Sequence, residues 1–297
     1  MARAPAFRHP DCLMSEEIRS TDLVTSDGVR LHVLEAGPAG RARAGGTAPV
    51  LAFVPGWSMP AAIWRPQLVQ LGASRRVAAL DPRGQGDSDV PASGFDIDRR
   101  ADDVAEFVAR YERPVLIGWS LGALEALHFI HRHGADRLAG LVLVDSSVGE
   151  EPAPPPAGDF LESLRRDRRA TLEQFVRDMF HSLRSDEELA ALTDSALRMP
   201  LDASLSLFPR SVPREHWRGI ARAFRKPLMY VVTEQFAAQA QNLLRQRPGT
   251  RVEIFEAAGH ALFVDEPDRF NRVLLAFTEE VVLDRAPRPS HGPSHGG

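Results

Sequence analysis

Hydrophobic positions along the chain follow two periods in alternation. Residues 29–35 (VRLHVLE) alternate apolar and polar side chains, the pattern of a strand with one face exposed. Residues 49–54 (PVLAFV), 76–80 (RVAAL), 115–118 (VLIG), 141–144 (LVLV), 228–232 (LMYVV) and 252–255 (VEIF) are short runs that are mostly apolar. Such runs predict strands covered on both faces. Between them the spacing lengthens to that of helices. Ile97, Ala101, Val104, Val108 and Tyr111 make one apolar stripe, residues 121–133 follow a strand directly, and residues 270–282 close the folded part. Strands alternating with helices require crossover connections and predict a mostly parallel sheet between helical layers, with the strand around Leu31 antiparallel at its edge.

One stretch breaks this rhythm. Residues 150–226 contain no strand-like run; they open on a proline cluster at 152–156 and carry amphipathic segments at 160–164, 172–183 and 187–197, followed by Pro200, Pro209 and Pro213. Prolines punctuating short helices predict a helical cap inserted into the core. The expected organisation is a leader over 1–20, an α/β core over 21–149 and 227–284, the cap over 150–226, and an unpacked tail over 285–297. Met14 is an alternative start.

Composition narrows the functional classes. A chain of 297 residues with 43% hydrophobic content can bury one large core. Charged residues make up 26% and the net charge is −4, so no electrostatic excess points to nucleic acid or an anionic membrane as partner. Cys12 is the only cysteine, which excludes an internal disulfide and suits a cytoplasmic protein. No apolar run is long enough to span a bilayer, and no apolar stretch follows Arg3 and Arg8 as a signal peptide requires. His128, His131 and His133 sit on the helix after residues 115–118 and read as partly buried or solvated, not as metal ligands. His181 and His216 fall in the cap and are candidates for lining a pocket. The tail histidines His291 and His295 read as unpacked chain.

The chemistry concentrates in Gly118-Trp119-Ser120-Leu121-Gly122, a G-x-S-x-G sequence between an apolar strand and a helical pattern. A serine on a sharp strand-to-helix bend needs neighbours without bulk, and the bend lifts its hydroxyl above the sheet. The N–H of Leu121 then faces a developing oxyanion at a helix N-terminus. With this motif the chain resembles the α/β-hydrolase superfamily, in particular its small esterase-like and cofactor-free haloperoxidase-like serine hydrolases. Three further stretches carry the resemblance: Phe53-Val54-Pro55-Gly56-Trp57, Asp81-Pro82-Arg83-Gly84-Gln85-Gly86-Asp87-Ser88, and Ala258-Gly259-His260-Ala261 with Asp265-Glu266-Pro267. It implies an α/β-hydrolase fold, Ser120 as nucleophile, His260 as base, and the N–H of Trp57 as second oxyanion donor. The Asp81–Ser88 turn is expected to be structural.

The triad acid is less plain. The superfamily's usual aspartate, in a Gly-x-x-Asp loop after the strand at 228–232, is missing; Phe236 stands there. Asp145, after the strand at 141–144, is the first alternative and Glu234 the second. Ser120 implies an acyl-enzyme formed from a small, apolar carboxylic ester, thioester or amide, with no metal or organic cofactor. Met59, Trp119 and Phe263 are expected to contact this small-molecule substrate, with Phe160, Met179, Phe180, Leu205, Phe208 and Trp217 of the cap nearby. Perhydrolase chemistry at the same site, or a non-catalytic ligand-binding protein with an eroded acid, are the alternatives.

Overall fold

Apolar runs without a polar alternate are stable only where both faces of a sheet are covered, and that is where the chain puts all of them but the last, residues 252–255, which stand mostly half-buried at the sheet's edge. A computed structural model describes residues 18–38, 48–155, 158–208 and 211–283. Its one sheet contains β1 (Arg19–Val24), β2 (Arg30–Ala36), β3 (Leu51–Val54), β4 (Val77–Leu80), β5 (Val115–Trp119), β6 (Gly140–Val144), β7 (Leu228–Thr233) and β8 (Thr250–Phe255). The spatial order is β1-β2-β4-β3-β5-β6-β7-β8. β2 is antiparallel to β1 and β4, and all pairings from β4 to β8 are parallel. β3 through β7 are buried along their whole length.

The helices are α1 (Arg65–Gly72), α2 (Ile97–Val108), α3 (Leu121–His133), α4 (Phe160–Arg166), α5 (Arg168–Asp178), α6 (Asp186–Leu197), α7 (Leu201–Ser206), α8 (Arg214–Ala223), α9 (Ala237–Gln246), α10 (Leu262–Asp265) and α11 (Pro267–Leu283). Two apolar cores, one on each side of the sheet, hold the layers together. One gathers side chains of α1, α11 and α4–α6. The other gathers those of α2, α3, α8 and α9. No helix among the described residues is long and apolar enough to cross a membrane.

Several expectations shift. The chain enters the sheet at Arg19, inside the span 1–20 expected to be leader, and β1 takes the edge position expected for the Leu31 strand. β1 is half-exposed, so its polar residues gave no apolar run to read. The stripe over 97–111 ends as a helix at Val108; Tyr111 leaves the helix but keeps its ring against Phe107, with centroids 5.6 Å apart. Within 150–226 the described residues form helices and no strand, yet α8 does not join α4–α7. It packs on α3, and Trp217 lies in the core shared with α3, not beside the other aromatic residues of that span. The rest of the expected leader, 1–17, and all of the expected tail, with Cys12, Met14, His291 and His295, lie outside the described residues.

α2 and α3 are joined by a buried ion pair. Arg100 Nη2 lies 2.8 Å from Glu125 Oε1, and neither side chain is exposed. Burial pushes the Glu125 carboxyl up to about 7, against the opposing pull of Arg100. The unfolded chain therefore releases this proton from its ordinary value near 4.5, while the folded chain holds it until about 7. In that window the folded state binds more protons, so the Glu125 contribution to stability falls as pH rises. Urea titrations across this range should show wild type losing stability relative to Glu125→Gln by no more than about 3 kcal/mol, with a level difference above it.

Candidate active site

The bend after β5 is built on missing side chains. Ser120 has φ 54° and ψ −119°, a backbone conformation costing a non-glycine residue about 1–3 kcal/mol. A Cβ on Gly118 would stand 2.3 Å from the Gly122 carbonyl oxygen, and one on Gly122 would stand 2.6 Å from the carbonyl oxygens of both Val54 and Pro55. Those contacts let α3 start directly above β3 and β5. Ser120 N donates to Val144 O at 2.9 Å, which ties the bend to β6, and Ala123 N donates to Ser120 O at 3.0 Å.

The loop after β3 faces this bend. A Cβ on Gly56 would lie 3.1 Å from that of Ser120, so only glycine brings this backbone so near. Gln85 Nε2 donates to Gly56 O (3.0 Å) and Met59 O (2.7 Å) and fixes the loop from below, while Arg100 donates to Gln85 Oε1. Asp81 takes Ala61 N and Asp87 N and the Nδ1 of His32. The Asp81–Ser88 turn is thus a bracket for its neighbours. Among the described residues, neither the Trp57 nor the Leu121 amide donates to a protein acceptor. Both are free for an oxyanion. The Trp57 indole points elsewhere: Nε1 donates to Ser204 O at 2.7 Å, and the ring packs against Phe160, Phe175 and Phe208 at centroid distances of 5.8, 5.4 and 4.9 Å.

The structure brings Asp145 and His260 together across 115 residues. His260 Nδ1–H donates to Asp145 Oδ2 at 2.7 Å; Asp145 is fully buried and the histidine side chain 27% exposed. The other carboxylate oxygen of Asp145 accepts from the backbone N–H (2.7 Å) and hydroxyl (2.8 Å) of Thr233. Glu234 is exposed in the short turn Glu234–Phe236 and takes no part. The His260 loop is held on its other side by Trp119, whose Nε1 donates to His260 O at 2.9 Å and whose ring lies 5.1 Å from the imidazole. Among the described residues, the Ser120 hydroxyl and the His260 Nε2 have no hydrogen-bond partner. Catalytic hydrogen bonds of this kind commonly tighten only when substrate is bound.

Met59, Trp119 and Phe263, expected at the substrate, are each at most 1% exposed. Phe263 stacks on Trp64 at 3.7 Å, and the Trp119 ring meets Phe263 edge-on at 5.1 Å, so these aromatics buttress the site from within. His216, on α8, packs against His128 of α3, with ring centroids 5.2 Å apart. His181 contributes its backbone. The amides of His181, Ser182 and Gly259 and the Ser182 hydroxyl all donate to Asp265, whose carboxylate is thereby clamped between residues 181–182 and the His260 loop. Burial works to raise the Asp265 pKa, but these donors outweigh it and hold it low. Residues 179–183, expected to continue a helix, are the turn that makes these contacts.

Thr233, Gln85, Trp64 and Asp265 are the functional neighbours that residue typing passed over. Gln85 and Asp265 had a signal, the one its place in the Asp81–Ser88 turn and the other its place in the Asp-Glu-Pro after the histidine. Replacing Asp145 by Asn should lower kcat on an activated ester by about 10⁴-fold, the cost of the wrong imidazole tautomer. Glu234→Gln should stay within about twofold, because an exposed side chain without contacts contributes little. Steady-state kinetics on the two variants check the assignment.

Comparison with known proteins agrees with this fold. Residues 51–273 match the Alpha/beta hydrolase family. The pimeloyl-acyl carrier protein methyl ester esterase of Neisseria meningitidis is 26% identical over 254 residues, covering 81% of this chain and 80% of that one. The protein of the same name from Aeromonas hydrophila is 29% identical over 261 residues, covering 78% and 96%. The solved structure of an esterase from Exiguobacterium antarcticum superposes with a TM-score of 0.74 at 20% identity, over 88% of this chain and all of that one, and shows the shared fold. With the family model matched over residues 51–273, most of its length, the chain belongs to the alpha/beta hydrolase family.

Proposed function

We propose that this carboxylic ester hydrolase works through an acyl-enzyme on Ser120, with His260 as general base and Asp145 as the acid that orients it. The observation that carries the reading is the 2.7 Å bond from His260 Nδ1 to the buried Asp145. A proton on Nδ1 leaves Nε2 as a bare lone pair, the form a base must have. Ser120 Oγ attacks the ester carbonyl carbon while Nε2 takes its proton. The carbonyl oxygen becomes an oxyanion that accepts from the N–H groups of Trp57 and Leu121. Collapse expels the alcohol, which collects the proton from His260, and a water activated in the same way releases the acid.

The substrate is a small ester with an apolar acyl or alcohol part. Phe160, Phe175 and Phe208 around Trp57 support this, because they line up apolar surface beside the loop that carries an oxyanion donor. In this reading α4–α7 are the cap that selects substrate, and α8 belongs with the core. The curated relatives are named for a methyl ester of a chain on acyl carrier protein, which makes simple methyl esters of increasing acyl length the natural panel.

A fluorophosphonate probe should label wild type once per chain and leave Ser120→Ala unlabelled in intact-mass spectra. Ser120→Ala should also lose about 10⁴-fold or more in kcat on every ester of the panel. An unlabelled wild type without turnover would point to a binding protein on the same fold and overturn the proposal.

A further inference from the structure

α8 reaches across to α3 through histidines. His216 of α8 places Nε2 3.0 Å from Nδ1 of His128 on α3, two residues 88 apart in the chain. One turn along α3, the His131 ring lies 4.7 Å from that of His216 and 5.6 Å from that of His128. The second nitrogen of His128, Nε2, donates to Asp98 Oδ1 at 2.6 Å. A cavity of about 420 Å³ opens beside the cluster, lined by Asp98, His128, His131, Arg132 and His133.

We propose that His128, His216 and His131, with Asp98 behind them, form a site for a divalent transition ion of the zinc or nickel class. His128 Nδ1 and His216 Nε2 are the first two ligands, His131 swings in as the third, and water completes the shell. The distances favour it. Two imidazole nitrogens on one tetrahedral ion, each about 2.0–2.1 Å from it, stand roughly 3.3 Å apart, a few tenths of an ångström from the separation found here. Asp98 sets the chemistry of His128. By accepting from Nε2–H it leaves Nδ1 unprotonated, and a carboxylate behind a histidine is the arrangement that orients metal-binding imidazoles. His216 now donates its Nε2 proton to His128; to bind the ion it exchanges that proton onto Nδ1 and stays neutral.

Arg132 also pairs with Asp98, its Nη1 3.4 Å from Oδ1, while its Nε and Nη2 go to Asp102, which also takes His133. Neutral imidazoles select zinc, nickel or copper over magnesium and calcium, which want oxygen. The one group of His and carboxylate side chains among the described residues whose ligand atoms already lie within 4.8 Å of one another, His32 with Asp81 and Asp87, is committed to the protein. There both nitrogens of His32 and both oxygens of Asp81 already have protein partners. An ion in the α3–α8 cluster would staple the end of the β6–β7 excursion to the helix that follows the serine.

The test is calorimetric titration of tag-free, chelator-stripped full-length protein with zinc chloride, repeated with nickel and with magnesium. A His291→Ala/His295→Ala background removes the tail histidines from the count. One zinc ion per chain with micromolar affinity, a higher melting temperature with zinc, and no response to magnesium are expected. His128→Ala and His216→Ala should each weaken binding by at least about tenfold, as should Asp98→Asn acting through His128. His216→Gln, which keeps a hydrogen-bonding side chain facing His128, guards against a variant that merely unfolds; circular dichroism reports its fold, and it too should lose the ion. No zinc binding in the background protein, or binding unchanged in a folded His128→Ala/His216→Gln variant, overturns the proposal.

Discussion

The geometry of the site rests on an absence of atoms behind one serine. Ser120 can hold its left-handed conformation because Gly118 and Gly122 carry nothing that would push β5, α3 and the end of β3 apart. A single methyl group at either place would meet backbone at 2.6 Å or less, and backbone cannot step aside as a flexible side chain can. The same approach puts the Leu121 amide at the mouth of α3 and the Gly56 backbone against the serine. One steric allowance therefore sets the proposed nucleophile and oxyanion donors together.

The remaining groups arrive on separate loops, and each is held by buried polar contacts. Asp145 is fixed by Thr233, the oxyanion loop by Gln85, and the histidine loop by Trp119 and Asp265. Most of these bonds use backbone N–H or C=O groups on one side. A loop without ladder partners must satisfy its amides somewhere, and here that need also positions the chemistry. Glu125 and Arg100 extend the bracing from α3 through α2 to Gln85, so the helix that follows Ser120 and the loop opposite share one polar scaffold.

What the sequence made legible follows from what is local. The parallel strands show as apolar runs because both faces of each are covered, and the elbow shows because its glycines, serine and flanking elements lie within a dozen residues. Asp145 was legible as the first of two candidates, ahead of Glu234, from its place after the strand at 141–144; its pairing with His260, which spans 115 residues, was not. β1 was missed because a half-exposed edge strand needs few apolar residues. α8 was misplaced because proline punctuation marks where helices break, not which face of the sheet receives them. Trp119 and Phe263 look like pocket aromatics in sequence. In the fold they are interior, since Phe263 stacks on Trp64 and Trp119 meets Trp64 edge-on, which leaves them no open surface.

The sheet ends in β1 on one side and β8 on the other, and both rims carry charge. Arg19 and Asp22 stand exposed on β1, while Arg251 and Glu253 pair along β8 and Arg251 reaches Glu280 of α11. A neighbouring molecule that tried to add a ninth strand would have to strip water from these ions while matching their register. Charged borders of this kind discourage edge-to-edge aggregation, and they let a sheet of eight strands stay open without closing into a barrel.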